Sequence, residues 1–324
     1  MKKSNIHFIV GIWRSGTTLL REILGMSDEV KIFPEHFVLL HHLNKAQNFY
    51  HTSKTELLQN VSTNPDFIHF AQPDLNLLKA EFEKANNFEN AIKTIYAACL
   101  KEGENISTFI DKNPIYSYYL PELIHLFPKA KFIWMVREPK DNCISRAKHD
   151  IQTIKNYGYL ASWWNLTNER IRVSALQYPE KFLLIPYDIM VENPKPWVIK
   201  ICAFLGIPFE EKLLAFETKK EERISSFVLA AKARDGEITK EYAAKKKAMW
   251  ENLQKPINTS KTKQWKTELS LAEIASIDRI SKKFYENLIE NNLNDSGKTH
   301  FIYGNLAKLS LLKLKQDIRF KRIT

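Results

Sequence analysis

The stretch that most constrains this chain is Ile6 to Leu20, IHFIVGIWRSGTTLL. Ile6 to Ile12 is a short, largely β-branched apolar run and reads as a buried strand. At Gly11 it breaks into a turn of small residues, and Ser15, Gly16, Thr17 and Thr18 lead into a helical pattern. Strand, tight turn and helix start together present backbone N–H groups to an anion. The first N–H groups of a helix have no internal partner and sit at the positive end of its dipole. Gly16 lets the backbone approach that anion where a Cβ would clash.

The spacing nearly repeats the nucleotide phosphate loop, G-x-x-x-x-G-K-[ST]. Gly11 and Gly16 keep the separation, but Thr17 stands where the lysine belongs. In a nucleoside triphosphatase (NTPase) that lysine reaches the terminal phosphates. Here the cation comes earlier, at Arg14 inside the turn, so the loop suits an anion other than the triphosphate of ATP.

Downstream, Val30 to Phe33, Ser107 to Ile110, Lys131 to Val136 and Phe182 to Pro186 read as further strands. Helical patterns separate them: Thr18 to Gly25, Pro121 to Phe127, Lys140 to Asp150, Tyr159 to Tyr178 and Pro194 to Leu205, the last stopped by Gly206. Strands alternating with helices predict an α/β fold, a P-loop-like parallel sheet flanked by helices in three layers. Ligands of such sheets sit beyond the carboxyl ends of the strands. Arg14, Glu35, Lys112 and Arg137 all fall there. One domain over 1–295 is expected, with a helical insert at about 37–105 and a basic amphipathic extension at 296–324. Leu269 to Leu293 reads as an amphipathic helix with Leu271, Ile274, Ile277, Ile280, Phe284 and Leu288 on one face.

Charge and cysteine usage narrow the setting. Net charge is +11, yet residues 1–218 hold 25 basic and 24 acidic residues. The excess sits late, 13 against 6 in residues 219–266 and 7 against 1 in 298–324. An anionic cofactor, an acidic substrate or an anionic membrane surface would each account for it. No nucleic-acid motif accompanies it, so no nucleic-acid partner is expected. The extension is compatible with a helix docked on the core or one in peripheral contact with an anionic membrane. No apolar run approaches bilayer-spanning length. The run after Lys2 and Lys3 contains His7 and flows into the phosphate loop, which favours a first strand over a signal peptide. Cys99, Cys143 and Cys202 are far apart, without metal or redox spacing, and are expected to be buried reduced thiols in a cytoplasmic protein.

Several motifs together resemble the sulfotransferases that use 3′-phosphoadenosine-5′-phosphosulfate (PAPS). WRSGTTLL at 13–20 is similar to their loop for the 5′-phosphosulfate. MVREPKDNCISRAKH at 135–149 is similar to their 3′-phosphate signature, with Arg137 and Ser145 eight residues apart. Weaker matches are IPYDIMVENP at 185–194, CAFLGIPF at 202–209 and KPINTSKTKQWK at 255–266. The pattern is closest to the tyrosylprotein and carbohydrate sulfotransferases, where a glutamate follows the loop arginine by twenty-one residues, as Glu35 follows Arg14. Lys112-Asn113-Pro114 matches their Lys-x-Pro, while Gln264 stands where they tend to carry a lysine.

The resemblance implies sulfuryl transfer from PAPS to an acceptor hydroxyl, releasing adenosine 3′,5′-bisphosphate, with no metal required. It assigns Ser15, Gly16, Thr17, Thr18 and Arg14 to the 5′ end, Arg137 and Ser145 to the 3′-phosphate, and Tyr187, Lys255 and Lys263 to further cofactor contact. Tyr187, like Trp163 and Trp164, otherwise reads as a core aromatic. Such a transfer is an in-line displacement by analogy with phosphoryl transfer, and fixed cations and N–H groups stabilise charge on the leaving oxygen. Arg14 and Lys112 suit that task; Glu35 suits the base, with His36 in reserve. The acceptor is expected to be a carbohydrate or other metabolite hydroxyl, since no targeting segment is read that would bring the chain to secreted proteins. The alternative is a P-loop small-molecule kinase or NTPase, with Asp111 holding magnesium.

Overall fold

The structure is a computed structural model that describes residues 4–33, 35, 38–43, 51–63, 67–68, 71–149, 156–218, 253 and 255–290. His36, the Lys245–Lys247 run and the extension at 296–324 lie outside the described residues. Five strands form one sheet: β1 (Asn5–Val10), β2 (Val30–Phe33), β3 (Thr108–Lys112), β4 (Phe132–Val136) and β5 (Phe182–Pro186). Their order is β2-β3-β1-β4-β5 and every pairing is parallel.

A parallel sheet covered on both faces needs apolar residues at successive positions, and alternation then sends them to opposite layers. Phe8, Val10, Phe132, Trp134 and Val136 enter one core; Ile9, Ile133 and Met135 enter the other. Helices α1 (Thr17–Leu24), α2 (Val38–Leu43), α3 (His51–Thr63), α4 (Leu75–Phe82), α5 (Phe88–Ala97) and α6 (Leu120–Leu126) precede β4. Then come α7 (Pro139–His149), α8 (Tyr157–Gln177), α9 (Tyr187–Glu192), α10 (Pro194–Leu205), α11 (Trp265–Glu268) and α12 (Leu271–Glu290). The first core packs on α4, α5, α6 and α8; the second packs on α1, α9 and α10. Three layers result, as the alternation of elements predicts.

Local signals set the helix ends. Asp74, Asn87 and Asn156 accept backbone N–H groups at the starts of α4, α5 and α8. Gly206 closes α10 in the left-handed region at φ 78°. The three cysteines are free and buried, and burial pushes the Cys99 and Cys143 thiols up to about 12 and Cys202 to about 11. Among the described residues no helix is long and apolar enough to cross a membrane.

Two sequence expectations need correction. β3 does not end at Ile110 but continues through Asp111 to Lys112, pairing Phe8 with Asp111 and Ile9 with Lys112. Both polar residues are buried there, Asp111 receiving hydrogen bonds from the hydroxyls of Tyr96 (2.5 Å) and Tyr116 (2.6 Å). Leu271 is 86% exposed although the helical period groups it with Ile277 and Leu288, which are buried. As the first residue of α12, it lies beyond the turns that pack on α8.

Candidate active site

The carboxyl end of β1 delivers the chain into the loop 11–16, where Gly11 and Gly16 are each required. Gly11 has φ 143° and a Cβ on it would lie 2.6 Å from the Met135 carbonyl oxygen. Gly16 has φ 90° and a Cβ on it would lie 2.3 Å from the Tyr187 ring. Between them Arg14 adopts φ 70°, a left-handed conformation that strains a residue bearing a side chain. The Ser117 hydroxyl ties down the entry to the loop, accepting from the Gly11 N–H (3.1 Å) and donating to the Gly11 carbonyl (3.3 Å). At the exit α1 starts with no side-chain cap and no acidic residue in its first turn. Its leading N–H groups are therefore left for an anion.

The unit formed by β4 and α7 grips this loop. The Arg14 Nε donates to the Ser145 hydroxyl (3.1 Å), so the loop arginine meets the end of the second motif directly. Arg137 Nη1 donates to the Arg14 carbonyl (3.1 Å), its Nη2 donates to the Lys261 carbonyl, and its guanidinium lies 5.2 Å from the Tyr187 ring centre. Its Nε is buried with no hydrogen-bond partner among the described residues. A buried, fork-shaped cation with a spare donor suits a phosphate oxygen. Trp164 holds the backbone at this corner by donating Nε1–H to the Arg137 carbonyl (3.0 Å).

On the other side of β1, Lys112 ends β3 and its ammonium pairs with the Glu35 carboxylate, just past β2. Strand order explains the encounter, since β2 and β3 are neighbours and Phe33 pairs with Asp111. Thus the arrangement brings together Arg14, Ser145, Arg137, Tyr187 and Gly16 around one loop, with the Glu35–Lys112 pair at the adjacent strand ends. Ser15 in the loop and Thr17 at the start of α1 are buried, and Thr18 is half-buried. Lys263 turns away to Glu192 (2.9 Å), and Lys255 is exposed.

These observations match a known family. Residues 7–211 match the model described as the Sulfotransferase family. The chain belongs to the sulfotransferase family. Relatives of this chain include protein-tyrosine sulfotransferase 1 of Danio rerio, 25% identical over 214 residues, covering 65% of this chain and 55% of that protein. The protein-tyrosine sulfotransferase of Drosophila melanogaster is 25% identical over 220 residues, covering 65% and 40%. The chain thus spans about half the length of these two relatives. Among solved structures, the sulfotransferase domain from the curacin biosynthetic pathway has the same fold, with TM-score 0.58, 22% identity, and coverage of 88% of this chain and 99% of that one. The sulfotransferase domain of the Synechococcus PCC 7002 olefin synthase follows with TM-score 0.54 and 22% identity, covering 88% and 96%.

The site also holds residues that sequence reasoning passed over. Asp141 accepts the N–H groups of Lys263 (2.6 Å) and Trp265 (3.0 Å), fastening the 261–265 loop to α7. Burial holds its carboxyl above the usual range, opposed by these N–H groups and by Arg137. Asp188 receives the Glu138 N–H (2.8 Å), and burial raises its carboxyl to about 6. Asn142 donates to both the Trp13 carbonyl (3.0 Å) and the Ser15 hydroxyl (3.3 Å). Asp141 and Asn142 lie inside the second motif, but nothing in their spacing marks which way either would face.

Proposed function

We propose that this sulfotransferase moves a sulfuryl group from PAPS to an acceptor hydroxyl. The observation that carries the reading is the contact of Arg14 with Ser145, 3.1 Å between residues of the two anion motifs. One bound molecule with an anion at each end fits a site in which the two motifs touch. The residues suit that group: uncapped N–H groups at α1 for its 5′ end, and a buried guanidinium with a spare donor for its 3′-phosphate.

Glu35 takes the acceptor proton while the acceptor oxygen bonds to sulfur. The sulfur–oxygen bond to the 5′-phosphate breaks, its electron pair staying on the phosphate oxygen of adenosine 3′,5′-bisphosphate. Arg14, Lys112 and the N–H groups of residues 15–18 stabilise the charge on that oxygen, and removing one such donor typically costs about a hundred- to a thousand-fold in rate. Glu35 is 45% exposed at its side chain while its partner Lys112 is 2% exposed, which supports a carboxylate open to an incoming acceptor and an ammonium shielded from water beside it.

For the acceptor, the protein-tyrosine names of the relatives add a phenol to the carbohydrate or metabolite hydroxyl expected from sequence. The kinase alternative is disfavoured because Thr17 stands where the phosphate-reaching loop lysine belongs, and Asp111 is fully buried with two tyrosine hydroxyls on its Oδ2. Thermal shifts with adenosine 3′,5′-bisphosphate, PAPS and magnesium ATP test the donor, since a bound ligand stabilises the fold that accepts it. Stabilisation by magnesium ATP alone would reverse the assignment. Labelled PAPS with a panel of tyrosine peptides, glycans and small alcohols then tests the acceptor.

A further inference from the structure

We infer that Asn142 is a positioning residue that moulds the 5′ loop from the 3′-phosphate helix. The inference rests on the PAPS reading above. Asn142 sits on α7, between Arg137 and Ser145, and is fully buried. Its Nδ2 group reaches across 129 positions of sequence to the Trp13 carbonyl (3.0 Å) and across 127 to the Ser15 hydroxyl (3.3 Å). Those two residues flank Arg14, the one loop residue with a side chain and a positive φ (70°). Asn142 therefore straddles the strained position, while Arg137 holds the carbonyl of Arg14 itself and Ser145 its guanidinium.

Two further features separate this from ordinary core packing. The Asn142 Oδ1 is buried with no hydrogen-bond partner among the described residues, so the hydrogen bonding of this amide goes to the loop alone. An apolar side chain would avoid burying that unsatisfied oxygen, which costs stability. Second, a hydroxyl that accepts from an amide keeps its own hydrogen to donate. Asn142 thereby leaves the Ser15 hydroxyl as a donor, the polarity an anion in the loop requires. A left-handed residue persists where its surroundings over-determine it. Without the clamp, the anion-ready loop becomes one conformer among several, and apparent affinity falls with its population.

Calorimetric titration with adenosine 5′-phosphosulfate and with adenosine 3′-phosphate tests this on the full chain. Asn142→Ala removes the amide; Asn142→Asp keeps its shape and sets an acceptor against the Trp13 carbonyl. Both are expected to weaken the 5′ ligand about tenfold or more and the 3′ ligand less than about threefold. Equal losses for the two ligands, or unchanged affinity in folded variants, overturn the inference. So does a lowered melting temperature with ligand selectivity intact, or failure of both variants to fold, since Asn142 would then serve stability alone. Wild-type protein that binds neither ligand fails the PAPS reading itself, a result visible before any variant is made.

Discussion

Lys112 and Glu35 form an ion pair between a buried ammonium and a half-exposed carboxylate, joining the ends of two neighbouring strands. In the proposed reaction they have opposite duties, one receiving the acceptor proton and the other facing the leaving oxygen. Glu35→Gln preserves shape but not proton acceptance. It is expected to lower kcat by about a hundred-fold or more while leaving adenosine 3′,5′-bisphosphate affinity close to wild type. Near-native kcat would move the role to His36 or to the substrate.

Arg137 gives a second test. Arg137→Ala should weaken adenosine 3′,5′-bisphosphate by roughly ten- to a hundred-fold, the range for charge-assisted hydrogen bonds, and adenosine 5′-phosphosulfate much less. Because Arg137 also holds the Arg14 carbonyl, some loss for the second ligand is expected. Parallel losses in a titration of both ligands would remove the 3′ assignment.

A third prediction concerns acid stability. His7 lies buried in β1, its Nδ1 accepting the Lys131 N–H (3.0 Å). Burial, helped by the nearby Lys131 charge, lowers its imidazole from 6.5 to about 4. The folded protein thus binds this proton less readily than the unfolded chain. Stability from neutral His7 is complete above pH 6.5 and is lost as pH falls toward about 4, by up to roughly 3 kcal/mol. Asp188 acts in the opposite sense, its raised carboxyl favouring the folded state as pH falls through about 6. His7→Asn keeps an acceptor for Lys131 without the titration. Urea midpoints for wild type and variant between pH 7 and pH 4 should converge as pH falls; a constant gap would refute the assignment.

Asp111 supports a fourth. Tyr116→Phe deletes one of the hydroxyls donated to a buried carboxylate and should destabilise by about 1–3 kcal/mol. Magnesium should not change the measured loss. A magnesium-dependent recovery would revive the kinase alternative.

The fold was legible because β1, β4 and β5 are apolar at successive positions and because Gly206 is ordinary helix punctuation. Arg14, Arg137 and Ser145 were legible through spacing within two motifs. The end of β3 was not: Asp111 and Lys112 disfavour a buried strand by composition, and their partners Tyr96, Tyr116 and Glu35 come from three other segments. Ser117 is equally silent, a serine in a short turn that meets Gly11 only because β1 and β3 are adjacent. The helical period placed Leu271 on the buried face but carries no information on where a neighbouring helix ends.

Asp141 grips the loop after Lys261 entirely through main-chain N–H groups. Every amino acid except proline supplies that donor. The side chains of this loop can therefore vary without releasing it. What the anchorage forbids is an imino acid at 263 or 265, and a search for divergent members would do better to score that exclusion than the presence of a lysine.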